Sequence, residues 1–267
     1  MKSFITHIFS AYSESKVRVF SAYAGFYIIV SAIPFLAVLF FVLSSLSPDL
    51  SYELEELLSL ALPSGLSDEL YRVMESIKTS PLSAFVPFSV ITALWGSTKG
   101  VGGICFGIKR SFGKADTGSL VLRSVKTIWR TLIFYFLIIS TLLVFALGRL
   151  IFAYTQRHHI ILNIISEVLI NLRIVIFSVA LSLFFALLYS RLNEDKGFLK
   201  YLPAGIFSSL GWIIFTYFYS IYISRALSGP TIYAEMGAVI FFMLWCYFCI
   251  NILLVGALIA DYFVRGK

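Results

Sequence analysis

Apolar residues in this chain run together in long blocks, separated by short polar stretches. A bilayer core about 30 Å thick needs about 20 mostly apolar residues per crossing helix. Six blocks approach or exceed that length, at about 20–46, 82–98, 128–152, 174–189, 202–223 and 236–264. The second and fourth are the shortest, so a re-entrant course is the alternative for them. No segment between blocks is much longer than about 35 residues, too little for a separate soluble domain. The pattern therefore predicts an all-α fold over residues 1–267. This is a single polytopic membrane helix bundle with six transmembrane helices plus short amphipathic surface helices.

Between the blocks the periodicity changes to that of half-buried helices. Phe4, Ile5, Ile8, Phe9 and Tyr12 share one helical face, as in a helix lying on the membrane surface. Val101, Ile104, Ile108 and Phe112 repeat in the same way after the second block, among Lys99, Lys109, Arg110 and Lys114. Gly100, Gly103 and Gly107 in that stretch are candidate hinge positions; equally, glycines let a helix pack closely under the bundle. On the opposite side, Ser47-Pro48-Asp49 forms a helix start and Pro63-Ser64-Gly65 a break. They predict an outer helical hairpin over about 48–79, either a lid or a structural cap.

Composition agrees with the blocks: 59% of residues are hydrophobic and 13% charged, about half the charge of a soluble domain. The mean hydropathy is +0.91. Of the 21 Lys and Arg residues, fifteen fall in the N-terminal arm, the loops after the second and fourth blocks, and the tail. Nine of the 14 acids fall on the other side. Positive residues stay cytoplasmic, so both termini are expected inside, and the net charge of +7 calls for anionic headgroups rather than a nucleic acid. The first block is too long for the apolar region of a cleaved signal peptide and is expected to remain as an anchor.

Reactive chemistry is sparse. His7 is on the inner side, and His158 and His159 are adjacent on the outer side, about 100° apart on a helix. The five cytoplasmic acids, Glu14, Asp116, Glu194, Asp195 and Asp261, lie in four separate places. A metal-dependent nuclease needs several carboxylates converging on its ions. Cys246 and Cys249 sit in an apolar block without further soft ligands and read as packing residues. The sequence thus predicts no catalytic residue, metal or cofactor. What the blocks do contain is uncharged polarity: Tyr27 and Ser31 beside Pro34 in the first, Ser178 and Ser182 in the fourth, Thr216 and Tyr217 in the fifth, Asn251 in the sixth. Such residues either hold helices together or line a path for a neutral or amphipathic solute. A proline kink beside Ser31 is where such a path is expected to open.

Three patterns stand in order along the chain. They are Phe26-Tyr27-Ile-Ile-Val-Ser31-Ala-Ile-Pro34, Leu94-Trp95-Gly-Ser97-Thr-Lys99-Gly100, and Gly237-Ala-Val-Ile-Phe-Phe-Met-Leu-Trp245-Cys-Tyr247, followed by Gly256-Ala257. Together they resemble the YihY/BrkB family of bacterial inner-membrane proteins, formerly labelled ribonuclease BN, over nearly the whole chain. The resemblance implies six spans, a bacterial plasma-membrane (inner-membrane) location and no settled activity. Some members carry a virulence or serum-resistance label and others a tRNA-processing ribonuclease label, which the residue inventory disfavours. Leu258 stands where the family pattern has Glu, and Pro203-Ala204-Gly205 replaces Pro-Gly-Ala, so a role for that acid does not carry over.

The expectation is a non-enzymatic multi-pass protein that binds or transports a lipid-like or small neutral solute, with membrane lipids as partners. A homo-oligomer is compatible with the sequence. The alternative is a non-transporting scaffold or envelope-integrity protein that recruits a partner.

Overall fold

The computed structural model of the protein describes residues 2–46, 85–114, 175, 178–195, 197–226 and 231–265. The third expected span (128–152) and the outer hairpin (48–79) lie outside the described residues. Among the described residues every regular element is helical: α1 (Lys2–Glu14), α2 (Val17–Leu46), α3 (Phe85–Ser111), α4 (Ser178–Leu192), a 3-10 turn (Phe198–Tyr201), α5 (Leu202–Ala226) and α6 (Thr231–Arg265). Three of the described stretches are long and apolar enough to cross a bilayer, within Val17–Leu39, Phe198–Ile223 and Ile240–Arg265; α4 is a shorter apolar helix. Large apolar side chains such as Val179, Ile214, Phe218 and Ile240 are left on the surface, as hydrocarbon surroundings permit.

Two expectations need correction. The second block and the amphipathic stretch behind it are not separate helices; α3 runs without interruption from Phe85 to Ser111. Its glycines have low helix propensity, but packing overrides it. Gly96 and Gly100, then Gly103 and Gly107, have the small-xxx-small spacing that lets helices approach closely. A β-carbon on Gly100 would come within 2.8 Å of Ile28 Cγ1, and one on Gly103 within 2.7 Å of Tyr23 Cδ1. Gly96 meets Ser31 and Gly107 meets Phe20, so α2 and α3 run antiparallel. Second, Phe9 does not share the packing of Ile8 and Tyr12 in α1. Ile8, Ala11 and Tyr12 pack against the core, whereas Phe9 points away and is 74% exposed.

The long C-terminal helix α6 is the hub, touching α1, α2, α3, α5 and the 3-10 turn. Its buried stretch, Ile250, Leu253, Leu254, Ala257, Leu258 and Ala260, joins one core with Ile108 and Phe112 of α3's end, Tyr189 and Leu192 of α4, and Tyr201. Leu258 is inside this core, so its apolar side chain suits its surroundings.

Candidate functional site

Helix α2 presents two opposite faces. Residues Phe20, Tyr23, Ala24, Tyr27, Ile28 and Ser31 meet the glycines of α3. On the other face, Ala22, Gly25, Phe26 and Ile29 follow the i, i+3, i+4, i+7 spacing of one helical stripe. With Ile240, Met243, Leu244 and Tyr247 of α6, a stripe of the same spacing, they line a groove of about 300 Å³. The walls are apolar apart from the Tyr247 hydroxyl. The helices are in contact beside Gly25: a β-carbon there would lie 3.6 Å from the Tyr247 backbone nitrogen, an ordinary packing distance.

At one end of the groove the chemistry changes. Asn251 Nδ2 donates to the Tyr12 hydroxyl at 3.0 Å, and both lie within electrostatic reach of the Tyr247 hydroxyl. The Arg18 guanidinium lies over the Tyr12 ring, 5.6 Å from its centroid, and its charge reaches the Tyr247 hydroxyl. Arg18 is four residues before Ala22 and Asn251 four after Tyr247, so each continues its own stripe by one turn. Both walls therefore end in polar groups at the same end, bridged by α1.

The structure distributes the sequence-predicted polar residues rather than gathering them in one path. Ser31 is buried against Gly96, and its hydroxyl donates to the Ile28 carbonyl within its own helix at 2.9 Å. Tyr27 stacks edge-on with Trp95, centroids 5.5 Å apart. α2 continues as one helix through Pro34, and the groove lies on the face opposite Ser31. The Ser178 carbonyl accepts hydrogen bonds from Ser182 Oγ (2.8 Å) and from Ser209 Oγ of α5 (2.9 Å). Thr216 accepts one from Trp245 Nε1 at 3.2 Å. Tyr217 is 64% exposed on the surface of α5. Only Asn251 belongs to the groove's rim. Gly100, Gly103 and Gly107 lie within the continuous α3, where close packing accounts for them.

Further ties, which the sequence did not single out, knit the end of the bundle where α6 finishes. The Tyr189 hydroxyl donates to the Leu253 carbonyl at 2.8 Å, which leaves Ser208 Oγ, 2.7 Å away, as donor to Tyr189. Gly256 leaves room for this pair, since a β-carbon there would collide with both oxygens. Arg265 binds the Asp261 carboxylate and the Phe112 carbonyl, each at 2.6 Å. Lys114 donates to the Asn193 carbonyl, and Tyr201 donates to Asp195 at 3.1 Å while accepting from Asn193 at 2.8 Å. Cys246 and Cys249 are buried and form no disulfide. His7 stacks at a tilt on Tyr262.

The patterns that suggested a family in the sequence now have a physical role. The first and second press on each other where Ser31 meets Gly96, and the third supplies one wall of the groove. Over residues 8–265 the chain matches the family described as Virulence factor BrkB. The chain belongs to the BrkB family. A relative, the ribonuclease-like protein YfkH of Bacillus subtilis (strain 168), is 24% identical over 259 residues, covering 95% of this chain and 92% of its own. No solved structure matches the chain. As a BrkB-family protein with apolar helices of spanning length, it is a membrane-type protein. Sequence reasoning missed the groove because its lining residues are apolar like the rest of their blocks. The available signal was Ala22 and Gly25 at i, i+3 in an otherwise bulky block.

Proposed function

We propose that this BrkB-family protein is a six-span protein of the bacterial inner membrane, with both termini cytoplasmic. In this reading it binds a lipid-like amphipathic molecule in the α2–α6 groove and does no bond-breaking chemistry. The observation that carries the reading is the pairing of an apolar groove with a polar end formed by Arg18, Tyr12, Asn251 and Tyr247. Burying a hydrocarbon chain there contributes about 0.8 kcal/mol per methylene relative to water, but little relative to bilayer. Selectivity must therefore come from the polar end. The ribonuclease-like name belongs to a relative 24% identical to this chain and is not carried over.

Native mass spectrometry of the purified full-length chain in mild detergent tests this. Wild type is expected to retain bound lipid, and Ala22→Trp, which fills the groove from an exposed position, to lose it. Equal retention by both proteins contradicts the reading. A scaffold role is the second reading. It is favoured by Ser31, Ser178, Ser182 and Thr216, whose hydrogen bonds are made within and between helices.

A further inference from the structure

The polar end of the groove narrows the chemistry of its occupant, given the groove reading above. Arg18 offers only donors, and its side chain is exposed at the start of α2. Neighbouring Lys16 is exposed as well. The nearby acid, Glu14, already accepts a hydrogen bond from Ser10 at 3.1 Å. Tyr12 and Asn251 bond each other and carry no charge, so the Arg18 guanidinium over the Tyr12 ring supplies the cationic donors at this rim. Four residues along a helix is about 6 Å, so Arg18 stands one turn beyond the apolar wall that begins at Ala22. An occupant matching both features carries an anionic head one helical turn from its hydrocarbon chain.

We propose that the groove holds an acyl chain of an anionic phospholipid from the cytoplasmic leaflet, with its phosphate at Arg18. Charge complementarity favours this occupant: the guanidinium matches phosphate oxygens, and most of the chain's Lys and Arg residues are expected on the same side of the membrane. A zwitterionic lipid presents the same phosphate, but the cation in its head offsets the attraction of Arg18 and the neighbouring Lys16, so the anionic lipid is favoured.

The test uses the full-length protein in vesicles containing a photoactivatable acyl-chain probe, either phosphatidylglycerol or phosphatidylcholine. Cross-linked peptides are then mapped by mass spectrometry. Label on the peptides bearing Ala22–Ile29 and Ile240–Tyr247 is expected to favour phosphatidylglycerol. Arg18→Gln should lower that preference about fivefold, the effect of one basic residue near an anionic surface. Arg18→Lys should keep most of it, and Ala22→Trp should remove groove labelling by both probes. Met243→Trp fills the groove from the other wall and provides a second variant should Ala22→Trp fail to fold. If groove filling abolishes labelling but Arg18→Gln leaves the lipid ratio unchanged, the headgroup assignment is wrong and the groove reading survives. If groove filling leaves labelling unchanged, both fail.

Discussion

On one side of α2, Phe20, Tyr23, Ile28 and Ser31 press onto the glycines of α3; on the other, Ala22, Gly25, Phe26 and Ile29 face α6 across a groove of about 300 Å³. Both faces are mainly apolar, and hydrocarbon solvates them about equally well. Lipid tails give no hydrophobic drive for helix association, so the outcome depends on shape. Against α3, bulky residues of one helix fill the notches that glycines leave in the other. Against α6, the helices touch beside Gly25, yet no side chain among the described lining residues fills the space beside it. A sealed interface and a groove thus follow from the same ingredients, arranged differently.

The largest effect should come from breaking the sealed side. Gly100→Leu drives a side chain into Ile28 and the Ala24 carbonyl, where overpacking costs about 1–3 kcal/mol or more. A large drop in thermal unfolding temperature in detergent is expected, and an unchanged temperature contradicts the packing account. Filling the groove should do the opposite: Ala22→Trp should leave the unfolding temperature near that of wild type while lipid retention falls. A matched fall in both would mean that the groove is only a packing seam.

Smaller effects probe the rim. Asn251→Leu removes the tie to Tyr12, worth about 0.6 kcal/mol for an average hydrogen bond between membrane helices. Little global destabilisation is expected, but faster tryptic cleavage at Lys16 and Arg18 as α1 loosens. Unaltered cleavage would show that α1 docks by its apolar contacts alone. The smallest effect is expected at Ser21, whose buried hydroxyl makes no hydrogen bond. An unsatisfied buried polar group is itself costly, so Ser21→Ala should leave the unfolding temperature unchanged or raise it. A clear loss of stability would mean that the hydroxyl has a partner.

How much of this was legible beforehand follows from the range of each interaction. Block length and charge located α2, α5 and α6 within a few residues, because spanning length is a local property of the chain. The continuity of α3 was not legible: Gly100 to Gly107 lower local helix propensity, and the residues that compensate, Tyr23, Ala24, Ile28 and Leu254, are distant in sequence. Asn251 was recognisable as an unusual polar residue in an apolar block. Its partner Tyr12 is 239 positions away, beyond the reach of any periodicity. Ser31 stood out by polarity, yet its hydroxyl is satisfied by its own helix. The groove is lined almost wholly by apolar side chains, which polarity and charge do not single out.

The most direct measurement is an electron cryo-microscopy map of the full-length protein in nanodiscs containing phosphatidylglycerol. The account predicts an elongated non-protein density lying between Ala22–Ile29 and Ile240–Tyr247, ending in a head beside Arg18. A groove occupied instead by side chains of the protein itself, such as those of residues 128–152, would contradict it.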